Sequence, residues 1–145
     1  MIRVLLVGAS LLYFVFGAPL LAQNHAGAKS PKVPSSAQVA RGEYIVKGIA
    51  GCGDCHTPLD QKGEPIKDQW LQGSKLFFGP LIPIPMWTDT APKIAGLEGW
   101  DTENAIRLLM TGLGPSGQPP RPPMPQFKMN RQDAAAVIAY LKSLK

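Results

Sequence analysis

Both cysteines of this chain, and one of its two histidines, fall in the single stretch GCGDCHTP at residues 51–58. No other feature narrows the fold as much. A disulfide between Cys52 and Cys55 would close so short a loop that it removes little entropy from the unfolded chain, and as a staple it contributes almost nothing. The pair is therefore present for its chemistry. Three chemistries use a close Cys-x-x-Cys pair: a redox disulfide, half of a zinc site, and covalent attachment of haem.

The compartment bears on the choice. Residues 1–22 carry one charge, Arg3, followed by an apolar run with small residues near its end. This is the layout of a secretory signal peptide, with Ala22 or the segment 26–28 as the cleavage site. The alternative is a retained anchor, because the run from 4 to 21 is just long enough to span a bilayer. On either reading the remainder faces an extracytoplasmic, periplasmic-type compartment. The net charge of +5 falls to +4 without Arg3, and the lysines are scattered. There is no Lys/Arg stripe with interleaved aromatics of the kind nucleic acid selects. The lysines read as a solvated surface, with steering toward an acidic protein partner as a second use.

Residues 23–36 are small, polar and proline-containing, and read as a flexible linker. His25 lies there, with nothing nearby to hold it as a ligand. A first helix follows, capped by Ser35 or Ser36, with Val39, Gly42, Ile45, Val46 and Ile49 forming its apolar stripe and running straight into Gly51-Cys52. A second is signalled by Asp101 or Thr102 as N-cap, by Ala105, Ile106, Leu108 and Leu109, and by Gly112 as terminator. A third begins at Asn130, with Asp133 completing the cap, and presents Ala134, Val137, Ile138, Leu141 and Leu144 on one face. Lys142 and Lys145 form its basic end.

Two long connections separate these helices. Residues 57–99 contain six prolines and five glycines among aromatics, and follow neither a helical nor a strand period. Residues 112–129 contain six prolines, which exclude a helix or central strand. Loops this long are unusual in a compact domain. They become acceptable where they wrap a large apolar object that completes the core. The expected architecture is all-α, with three main helices and long loops over residues 37–145.

A closed zinc site needs four ligands, and this chain offers two cysteines and one credible histidine, so Asp54 or Asp60 would have to serve as the fourth. A thioredoxin-like pair belongs in a βαβ context that is missing here. Haem meets every requirement. The two thiols add to the vinyl groups, and His56 ligates iron through its neutral imidazole. Gly51 and Gly53 suit a backbone lying close against a flat macrocycle. The expected cofactor is one covalently attached haem c, bound through Cys52, Cys55 and His56.

The opposite axial position decides the function. An empty site suits gas or peroxide chemistry, whereas a thioether suits electron transfer and raises the potential. Four methionines follow the initiator. Met110 sits at apolar spacing on the second helix, which reads as core packing, and Met129 adjoins the last helix cap. Met86 has a proline neighbour and competes. Met124, in RPPMPQF, has proline on both sides, and the fixed φ of proline stiffens a loop whose thioether–iron bond is too weak to order it. Met124 is the expected distal ligand. Trp70, Phe77, Phe78, Trp87 and Trp100 are expected to pack on or near the ring. Arg121 reads as a surface charge or a partner for a haem propionate.

The stretches GEYIVKGIAGCGDCHTP, APKIAGLEGW and RPPMPQF, with the final helix DAAAVIAYLKSL, resemble class I c-type cytochromes. The similarity is greatest to monohaem cytochromes and to the haem modules of periplasmic dehydrogenases. It implies a cytochrome c fold in which the first and last helices cross, with Gly42 and Tyr44 meeting Tyr140 or Leu141. It also implies a proline carbonyl that accepts a hydrogen bond from His56; Pro92 corresponds best, with Pro58 as the alternative. The implied function is that of an electron carrier between redox proteins such as a dehydrogenase, an oxidase or another cytochrome. The alternatives are a haem subunit or module of a dehydrogenase, or a haem enzyme with an open sixth site. Membrane contact is expected only if the leader is retained.

Overall fold

The computed structural model describes residues 33–144, so the predicted leader, most of the linker, His25 and Lys145 lie outside the described residues. Within them, α1 spans Ser36–Tyr44 and is followed by a π-helical turn over Ile45–Ile49. Helix α2 spans Cys52–His56, α3 Thr102–Thr111 and α4 Arg131–Ser143. The helix starts follow from side-chain chemistry. Ser35, Asp101 and Asn130 each accept the backbone N–H three residues on, which satisfies a donor the first helical turn leaves free. Gly112 ends α3 in the left-handed conformation at φ 75°, where glycine carries no Cβ penalty. Ser36 thus belongs to the first helix, and the expected linker stops one residue short of its predicted end.

Helices α1 and α4 form the principal packing contact. Gly42 makes it possible. A Cβ placed there would lie 2.0 Å from the carbonyl oxygen of Ala136 and 2.8 Å from Cβ of Tyr140, so the two backbones touch through the missing side chain. The predicted meeting of Gly42 with Tyr140 is therefore present. Tyr44 is 58% exposed, with the Arg41 guanidinium over its ring. Ile49, placed on the buried stripe by its spacing, is 61% exposed. The cause is the π turn, in which the Ala50 N–H reaches back five residues to the Ile45 carbonyl. Such a turn is wider than an α turn and rotates the following residues off the helical face.

The core is built by Ile45, Val46, Ala105, Ile106, Leu109, Ala134, Val137, Ile138, Tyr140 and Leu141, with Met110 packed against it as its spacing suggested and Met129 packed there as well. The first long connection contributes more than a wrapping. Ser74–Lys75 (β1) pairs antiparallel with Thr90–Ala91 (β2), matching Ser74 to Ala91 and Lys75 to Thr90. Leu71 is fully buried and held on both backbone sides. Its N–H donates to the Thr57 hydroxyl oxygen at 3.0 Å, and its carbonyl accepts from the N–H groups of Ile94 and Ala95. Thr57, at 0% exposure, directly follows His56, so this contact anchors the long loop to the histidine-bearing helix. Replacing Thr57 with valine keeps the shape and strands the Leu71 N–H. The expected cost is about 1–3 kcal/mol, read as a lowered urea midpoint at unchanged m-value.

Candidate functional site

Gly51 adopts φ 58° at the N-terminus of α2. This left-handed conformation breaks the preceding π turn and starts α2 in a new direction. The GCGDCHTP motif therefore forms its own short helix and does not simply end the first one, as its sequence position suggested. Gly53, on the back of α2, is covered by Trp70: a Cβ there would lie 2.4 Å from the indole ring. The Trp70 Nε1–H in turn donates to the Tyr140 hydroxyl at 3.1 Å, which ties the motif's helix to α4. One side of α2 is fixed by this packing. The other side opens on a cavity.

That cavity has a volume of about 750 Å³, within the range of small-molecule and cofactor sites. Cys52, Cys55 and His56 line it from α2, Leu108 and Leu109 from α3, and Val137, Ile138 and Leu141 from α4. Met124 and its neighbours Pro123 and Pro125 line it from the second long connection, as do Thr90, Ala91, Pro92 and Ile94 from the first. Four of the expected site residues, Cys52, Cys55, His56 and Met124, thus share one largely apolar chamber. Met86 is not among the lining residues and is 69% exposed.

The electrostatics of α2 suit a neutral ligand set. His56 Nδ1 lies 2.7 Å from the Pro92 carbonyl oxygen, to which the protonated nitrogen donates. This is the proline expected from the family resemblance, in preference to Pro58. Burial pushes the His56 pKa below its ordinary value, and the Pro92 hydrogen bond offsets only part of that. The imidazole is neutral at neutral pH, with Nδ1 committed and Nε2 left as the available lone pair. Burial also raises the Cys52 thiol to about 11 and shifts Cys55 upward. A reactive redox thiol shows the opposite shift, toward thiolate.

The aromatic residues divide in a way the sequence did not signal. Trp100 lines the cavity, and Trp70 packs behind α2. Phe77, Phe78 and Trp87 stack edge-to-face in sequence, Phe78 between the other two, and are not among the residues lining the cavity. Arg121 is a cross-link and not simply a surface charge. Its Nε donates to the Met86 carbonyl and its Nη2 to the Trp87 carbonyl, both at 3.0 Å. The sequence reading missed Thr57, Leu108 and Phe127. Leu108 and Phe127 line the chamber, and their apolar character alone did not separate them from ordinary core.

The chemistry of this donor set fits haem: two neutral thiols three residues apart, a neutral imidazole oriented from behind, and a thioether, all around an apolar chamber. The comparisons with known proteins agree. The family model described as cytochrome c matches residues 39–145. A diheme cytochrome c-type protein of Cereibacter sphaeroides is 31% identical over 108 residues, covering 70% of this chain and 34% of that protein. The cytochrome c subunit of a quinone-type alcohol dehydrogenase from Gluconobacter oxydans is 34% identical over 83 residues, 54% of this chain and 17% of the subunit. The fructose dehydrogenase cytochrome subunit of Gluconobacter japonicus is 27% identical over 114 residues, 72% of this chain and 21% of the subunit. The matched region therefore spans about a third or less of the length of each of these relatives.

Proposed function

The chain belongs to the cytochrome c family, and from that premise we propose that it is an exported carrier of single electrons, with one haem held between His56 and Met124. Family membership makes it an electron-transfer protein with covalently bound haem c, and not a catalyst. The haem supplies a one-electron iron couple. The protein's own residues do the rest. Cys52 and Cys55 hold the group as thioethers on α2. The Pro92 carbonyl fixes the His56 tautomer and ring angle and raises the basicity of the remaining nitrogen. Apolar side chains from α3 and α4 keep water from the chamber, which raises the cost of the extra charge on the oxidised state.

The observation that carries this reading is the common chamber. His56 and Met124 line the same cavity, whereas Met86 does not. With haem bound, His56 and Met124 would hold the iron with the same two side chains in both oxidation states, so little reorganisation of this chain would accompany electron transfer. A second reading, as the electron-accepting subunit or module of a dehydrogenase, is favoured by the alcohol and fructose dehydrogenase cytochrome subunits among the relatives. Both readings place the redox partner outside this chain, in an extracytoplasmic compartment. Among the described residues no helix is long and apolar enough to cross a membrane.

The test is an intact mass and a redox titration of the exported protein. One haem added to a chain processed near Ala22 or within 26–28, titrating with a one-electron slope of about 59 mV per decade, is the expected result. A mass showing Cys52 and Cys55 unmodified, or a second haem, overturns it.

A further inference from the structure

The segment 86–92 joins the two sides of the chamber. At one end the Pro92 carbonyl accepts from His56 Nδ1 at 2.7 Å. In the middle, Leu76 N–H donates to the Asp89 carbonyl at 2.7 Å, and Thr90 and Ala91 pair with Lys75 and Ser74. At the other end Thr88 N–H donates to the Pro122 carbonyl at 2.9 Å, and the Arg121 guanidinium reaches the Met86 and Trp87 carbonyls at 3.0 Å each. The turn that begins at Arg121 closes on Met124, whose N–H donates to the Arg121 carbonyl at 3.2 Å. Arg121 therefore stands at the junction between the methionine-bearing loop and a strap that ends on the histidine.

Two further observations make this a fastening and not an incidental surface contact. Met86 holds φ 63°, and its carbonyl is one of the two that Arg121 engages. That left-handed conformation is unfavourable for a residue with a side chain. The contact also spans 34 and 35 positions of sequence between two proline-rich loops. A planar guanidinium presents several N–H groups in a fixed fork, which an ammonium does not. We propose that Arg121 is a positioning residue for Met124: it pins the distal loop to the 86–92 strap, so that the thioether is held over the chamber when it would otherwise swing out. This rests on the reading of Met124 as the distal ligand.

The test is competition by exogenous imidazole for the ferric holoprotein, followed optically, in wild type, Arg121→Ala, Arg121→Lys and Met124→Ala. Removing the pin makes the methionine easier to displace. Arg121→Ala is expected to bind imidazole about tenfold more tightly than wild type, equivalent to about 1.4 kcal/mol. Arg121→Lys, which has no fork, is expected to fall between them. Thermal midpoints are measured alongside, because a merely structural arginine would lower stability and leave imidazole affinity where it was. If Met124→Ala binds imidazole far more tightly and Arg121→Ala stays within twofold of wild type, the positioning role is wrong and the ligand reading stands. If Met124→Ala itself binds no more tightly than wild type, the ligand reading fails and takes this proposal with it.

Discussion

Gly42→Ala is expected to lower the thermal midpoint of the ferric holoprotein by roughly 10 °C. The added methyl carbon would lie 2.0 Å from the Ala136 carbonyl oxygen and 2.6 Å from its carbon, distances no real Cβ tolerates, and both atoms are backbone. No side-chain rotation relieves the clash, so α1 and α4 must separate, loosening contacts made by Ile45, Val46, Val137 and Tyr140. Overpacking of this kind costs about 3 kcal/mol, and the better helix propensity of alanine returns up to about 1 kcal/mol. The balance, about 2 kcal/mol, corresponds to the stated shift in a domain of this size. Gly48→Ala is the control. Its Cβ would meet only the exposed Tyr44 ring, at 3.7 Å. Its midpoint should match or slightly exceed that of wild type. Equal midpoints for the two variants would contradict the account of the crossing.

The sequence revealed those parts of the site that depend on local chemistry. Caps at Ser35, Asp101 and Asn130 and the stop at Gly112 are settled within a turn of the residue concerned, so spacing alone located them. The motif at Cys52, Cys55 and His56 is equally local. Met124 was distinguished from Met86 by the stiffness of its flanking prolines, and the chamber separates them the same way. What stayed hidden depends on contacts distant in sequence or on backbone states that no residue type announces. The π turn that turns Ile49 outward has no compositional mark. Leu71 holds φ 58° because Thr57, Ile94 and Ala95 bond it from both sides, and leucine does not signal such a state. Phe77, Phe78 and Trp87 read as cofactor packing because large aromatics usually seek a core, yet the short β1–β2 ladder closes the stem of their loop and they stack on each other. The cross-link made by Arg121, which also lines the chamber, stayed hidden for the same reason, since its acceptors are main-chain carbonyls in another loop.

Met124→Ala is expected to remove the distal ligand while leaving covalent attachment intact, because Cys52 and Cys55 lie on a separate helix braced by Trp70, Thr57 and Pro92. The reduction potential should then fall, within the roughly 0.8 V range that axial ligation commands, since the thioether is the group that favours the reduced state. The position vacated would admit external ligands and change a carrier into a haem open to small-molecule binding. The corresponding variant of the competitor, Met86→Ala, should alter neither the potential nor ligand access, because Met86 lies outside the chamber lining. The measurement that bears most directly on the central claim is the optical spectrum of the ferric protein, wild type against Met124→Ala. The wild type is expected to show the weak red charge-transfer band of thioether-ligated ferric haem, and the variant to lose it. A wild-type spectrum without that band, or a variant that retains it, would contradict the assignment of His56 and Met124 as the axial pair.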